Sequence, residues 1–159
     1  VFENLSSLFS ALGLGYLVLT AWPLAKTDIT QRRLPNKYVL PAFPITWIGQ
    51  TLAGFSGAGF TNMLWAFVAG VVTFLLALSI NRIGLLGMGD VKLMSVMAIA
   101  LGWYSPLLPV VALGLSFLIA GLVALALLIL KKIKLGGSMP LGPYLLAGFF
   151  GAITLAVWS

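Results

Sequence analysis

The amino-acid sequence points to an all-α membrane protein of about six transmembrane helices, arranged as a single domain, 1–159. Three observations carry this reading. Of its 159 residues, 61% are hydrophobic and 8% charged, whereas a water-soluble domain carries about a quarter charged residues. The mean hydropathy of +1.13 comes from apolar runs broken at short intervals, the pattern of a polytopic chain lying almost wholly in or beside the bilayer. The runs lack the alternation of a transmembrane barrel, and at about 20 residues per span the length accommodates roughly five to seven helices.

Leu5 to Leu24 forms the first span. With no basic segment ahead of it and no small-residue cleavage site behind it, it is expected to persist as a helix. Tyr38 to Leu52 is a shorter span carrying Pro41 and Pro44, which a membrane helix tolerates where neighbours satisfy the freed carbonyls. Ala53 to Asn62 is rich in Gly and Ser and reads as a loop. Met63 to Ile80 is uninterrupted; Val91 to Tyr104 has 14 residues and Pro106 to Leu130 has 25. The last span covers Leu141 to Trp158. Small residues such as Ala66 and Gly70 are candidates for helix contacts.

The nine basic residues test this order, because a wrong number of crossings would scatter them over both sides. Lys26, Arg32, Arg33 and Lys37 fall between spans one and two. Arg82 and Lys92 flank the connector from three to four, and Lys131, Lys132 and Lys134 follow span five. All lie on one side, which the positive-inside rule makes cytoplasmic, with both termini outside. The expected location is the bacterial cytoplasmic membrane. The net charge of +6 is thereby explained, and with no soluble reading domain no nucleic-acid partner is expected. The chain has no Cys and no His, which excludes disulfides, cysteine-based zinc sites, thiol nucleophiles and the usual neutral-pH base. No cofactor or metal is expected.

The three acidic residues are more informative. Glu3 sits at the outer terminus, while Asp28 and Asp90 both fall at cytoplasmic helix ends, Asp90 directly after the connector Gly84-Leu85-Leu86-Gly87-Met88-Gly89. The fourth span is too short for a hydrocarbon core of about 30 Å, which sets Asp90 below the membrane surface in a wet cavity. Intramembrane carboxylates face the bundle interior and carry function. If the two converge across a water, repulsion keeps one proton on the pair, so that a base and an acid coexist as in aspartic proteases. The titration then belongs to the pair. The plainer alternatives are pairing of Asp28 with Lys26 and of Asp90 with Lys92, although residues two apart on a helix do not face one another. Asp90 is also placed to cap its helix. Placement alone leaves catalysis and a proton relay open.

The local sequence decides between them. Gly87-Met88-Gly89-Asp90-Val91-Lys92-Leu93 resembles the GxGD signature of intramembrane aspartyl proteases, in the GxGDxKL form of type IV prepilin peptidases. Asp28-Ile29-Thr30-Gln31-Arg32-Arg33-Leu34-Pro35-Asn36 is similar to that family's other segment, an aspartate followed by a hydrophobic-Pro-Asn triplet. Met139-Pro140-Leu141-Gly142-Pro143 resembles the start of its last helix. The resemblance implies a catalytic dyad of Asp28 and Asp90, and a prepilin or pseudopilin substrate with a basic cytoplasmic leader followed by a hydrophobic helix. Family members with methyltransferase activity carry a soluble, cysteine-containing insertion. This chain has neither feature, so it resembles the compact Tad or Flp form, with peptidase activity alone.

Around the dyad, Gly87 and Gly89 permit backbone angles and close approach that side chains would block. Pro35 fixes a backbone angle, and Asn36 is expected to cap the second helix. Arg32 and Arg33 can meet a peptide backbone or a lipid phosphate besides their topogenic role. Lys92 either snorkels to the surface or influences the dyad. The competing readings are a small proton-coupled transporter or channel component using the same aspartates as a relay, and a noncatalytic assembly factor.

Overall fold

The computed structural model describes residues 2–132 and 139–158; Lys134 and the side chain of Glu3 fall outside the described atoms. Seven α-helices make up the described chain: α1 (Phe2–Ser10), α2 (Leu12–Gln31), α3 (Asn36–Ala53), α4 (Thr61–Arg82), α5 (Met88–Gly102), α6 (Leu108–Ile129) and α7 (Gly142–Trp158). A wide π-helical turn, Gly54–Ala58, follows α3, with Gly57 at φ 108°. The all-α architecture is the one read from the sequence.

Three helical stretches among the described residues are long and apolar enough to cross a membrane: Leu5–Gln31, Thr61–Arg82 and Leu108–Ile129. Gly142–Trp158 is apolar but shorter. The outer faces of α4 and α6 expose Leu64, Leu75, Leu76, Val110, Leu118 and Leu122. Such a surface is disfavoured in water by about 25 cal/mol per Å² and is at ease among acyl chains.

The axis of the bundle is α5. Eleven of its 15 residues are buried, and it packs against α2, α3, α4, α6 and α7. At about 1.5 Å per residue it is shorter than the hydrocarbon core, and a helix that is apolar all round is stable there because protein surrounds it. Small residues set its approach to α4. Ile99 lies against Gly70, and a Cβ on Gly102 would come within 2.9 Å of Ala69 Cβ. The buried Ala66 and Gly70 thus belong to a helix contact of the small-residue kind. Between α6 and α7, Gly148 lies against Ser116 and the Ala112 carbonyl. Gln50, fully buried on α3, donates its Nε2 to the Ile99 carbonyl at 2.9 Å, tying α3 to α5.

Two helix boundaries depart from the apolar runs, and both move the site. The first run ends at Leu24, yet α2 stays helical to Gln31. Leaving the hydrocarbon ends the need for apolar side chains but not the backbone ladder. The hydroxyls of Thr27 and Thr30 donate back to the carbonyls of Pro23 and Lys26 at 2.7 and 2.9 Å. The helix stops where Arg32 turns left-handed, φ 51°, its N–H donating to the Asp28 carbonyl. Asp28 therefore stands on the last turn of α2, not in a loop beyond it. Likewise α5 begins at Met88, ahead of Val91, so Asp90 lies in its first turn.

Candidate active site

The connector from α2 to α3 and the start of α5 meet at one end of the bundle. Between them lies a cavity of about 290 Å³, lined by Asp28, Arg32 and Arg33 with Gly87, Gly89, Asp90 and Lys92. Asp28, Asp90, Gly87, Gly89, Lys92 and Arg33, singled out from the sequence, all reach this one cavity.

Asp28 is 4% exposed. Its Oδ2 accepts the backbone N–H of Gly142 at 2.7 Å. Gly142 is the first residue of α7, so the carboxylate occupies a helix N-terminus, where N–H groups lack intrahelical partners and the dipole favours an anion. A Cβ on Gly142 would lie 2.8 Å from that Oδ2 and 3.1 Å from Leu34 Cδ2. Only glycine lets the backbone come so near.

Asp90 acts on its own helix from the third position. Gly87 holds the N-cap place, and its N–H donates to the Asp90 carboxylate, one half of a capping box. The expectation that Asp90 itself is the cap is thereby corrected. Its Oδ1 is buried and has no hydrogen-bond partner. Burial and the neighbouring Asp28 charge push the Asp90 carboxyl up to about 6, while the Gly87 N–H acts in the opposite direction. A buried, unpartnered carboxyl oxygen is costly unless a proton, a water or a substrate group meets it.

Lys92 donates its Nζ to Asn36 Oδ1 at 3.2 Å. Asn36 is therefore a partner of α5. It does not cap α3, whose N-cap position is Pro35, without a side-chain cap bond. Gly87 and Gly89 contribute space instead of unusual backbone angles. Gly87 is extended at φ −74° and ψ 146°, and in this connector the positive φ falls at Gly84, 80°. A Cβ on Gly89 would lie 2.8 Å from Leu34 Cβ, so the bare backbone lets α5 pack on the connector. Sequence reasoning missed Gly142 as a site residue. Its signal was the flanking Pro140 and Pro143, read only as the start of a helix.

Two carboxyls in one small cavity, each accepting a backbone N–H and one keeping a buried oxygen without a partner, can hold and move protons around a water. The sequence profile of the type IV leader peptidase family matches residues 14–130. The chain is similar to a prepilin leader peptidase/N-methyltransferase of Stutzerimonas stutzeri, 30% identical over 140 residues, which cover 82% of this chain and 46% of that protein. It thus spans about half the length of that curated relative. No solved structure matches it significantly.

Proposed function

The chain belongs to the type IV leader peptidase family, and on that premise we propose that it is a membrane-embedded aspartic endopeptidase. Its substrates are type IV prepilin or pseudopilin precursors, from which it removes the cytoplasmic leader peptide. The observation that carries the reading is the meeting of Asp28 and Asp90 in one cavity. Arg33, Lys92, Gly87 and Gly89 shape that cavity.

The pair holds one proton. The ionised carboxylate takes a proton from water as the water oxygen bonds to the peptide carbonyl carbon, while the protonated partner gives its proton to the carbonyl oxygen. In the second half the first aspartate passes its proton to the departing nitrogen, the C–N bond breaks, and the second recovers a proton from the geminal diol. The pair ends as it began. A helical peptide has its carbonyls engaged, so the segment to be cut must be extended or unwound to reach the cavity. With Arg32, Arg33 and Lys92 around it, the cavity does not attract a basic leader, whose docking lies elsewhere.

The chain crosses the bacterial cytoplasmic membrane about six times, with α1 and α2 counted as one span. Both termini lie outside, and the cavity faces the cytoplasm, since the basic residues gather in the connectors at its end of the bundle. Proteoliposomes offered a proton gradient and a labelled prepilin test the function. Cleavage without proton flux is expected, with Asp28→Asn or Asp90→Asn lowering the rate at least about 100-fold while insertion is unchanged. Flux without cleavage would instead establish the relay.

A further inference from the structure

The two aspartates sit in one cavity but in different surroundings. We propose that they are not interchangeable: Asp28 is the carboxylate that takes the proton from water, Asp90 is the carboxylic acid that donates to the substrate carbonyl, and the Gly142 N–H is the positioning group that fixes this order. The inference rests on the endopeptidase reading for its catalytic meaning, but the order of protonation is a property of the protein alone.

The hydrogen bond at 2.7 Å between Gly142 N–H and Asp28 Oδ2 needs an acceptor. A proton placed on Oδ2 would oppose the N–H, and a charge-assisted bond of this kind is about twice as strong as a neutral one. The bond comes from the first residue of a 17-residue helix, whose N-terminus favours negative charge over a neutral acid. Asp90 also accepts an N–H, from Gly87, but its Oδ1 is left buried with nothing to bond. A proton on Oδ1 removes the unpartnered charge and supplies a neutral O–H donor that can meet a carbonyl oxygen. The value near 6 at Asp90 agrees with its carrying the shared proton.

The other charged groups lining the cavity are Arg32 and Arg33, from the connector that follows Asp28, and Lys92 of α5. Lys92 is engaged by Asn36 Oδ1. The α3 helix brings only this neutral amide, and α7 the Gly142 N–H. One turnover balances with these roles: Asp28 gains the water proton and returns it to the departing amine, while Asp90 gives its proton to the carbonyl oxygen and recovers one from the diol.

The chain contains only two aspartates, so cell-free synthesis with carboxyl-¹³C aspartate gives two carboxyl signals in micelles, assigned by Asp28→Asn and Asp90→Asn. If one variant fails to fold, the other assigns both. On raising the pH, the Asp28 signal should move to its ionised position at least about one pH unit before that of Asp90. Replacing Gly142 by glycolic acid removes the N–H without adding atoms and should bring the two titrations together or reverse them. Asp90 ionising first, or an Asp28 titration indifferent to loss of the N–H, would overturn the proposal. Failure to cut prepilin with the order intact would count against the peptidase reading alone.

Discussion

Gly142 offers the site no side chain, yet its backbone N–H holds Asp28 and its missing Cβ makes the contact possible. Gly142→Ala would set a methyl 2.8 Å from Asp28 Oδ2 and is expected to lower kcat about 10- to 100-fold with little change in KM, since displacement of about 1 Å costs that much. Gly15→Ala, with nothing within 4 Å of the new methyl, should leave turnover unchanged in the same assay. Asp90 makes a separate prediction about pH. Its folded value is about 6, above the usual carboxylate value of about 4, so between the two the folded chain holds a proton that the unfolded chain has released. The contribution to stability is full below the unfolded value and is lost as pH rises through that window. Thermal unfolding should therefore show wild type losing stability from about pH 4 to about pH 6, with Asp90→Asn losing less over that range. The aspartates were legible in the sequence because acidic residues are so scarce in it. Gly142 was marked only by its flanking prolines, as the start of a helix, because a backbone donor by itself leaves no mark in residue type.

At the scale of the element, α5 carries Asp90 on a short helix that protein surrounds. Its depth depends on Gly70 of α4 and Gly102 of α5, where the two helices meet, and on Gln50 bonding the Ile99 carbonyl. Gly102→Leu should cost at least about 1–3 kcal/mol by overpacking, read as a lower midpoint in denaturant. Gly121→Leu, with open space around its Cβ, should cost far less. The apolar runs foretold that these helices exist and in what order, but not where α2 ends and α5 begins. Polarity marks where a chain leaves the hydrocarbon, while the backbone ladder of α2 continues past Leu24 to Arg32. That extra length places Asp28 opposite α7. The contact is long-range, so no local pattern announced it.

At the scale of the whole molecule, the proposed topology sets the described basic residues and the aspartate cavity at one end of the bundle, facing the cytoplasm. The cysteine-free chain allows single-cysteine labelling to test this. Arg33→Cys and Lys132→Cys should react with an impermeant reagent only from the cytoplasmic side, and Ala58→Cys only from the other. The most direct measurement of the central claim is product mass after incubating purified protein with a prepilin leader peptide. The account predicts one cut bond for the wild type and no products from Asp28→Asn or Asp90→Asn. Cleavage at the wild-type rate by either variant would contradict it.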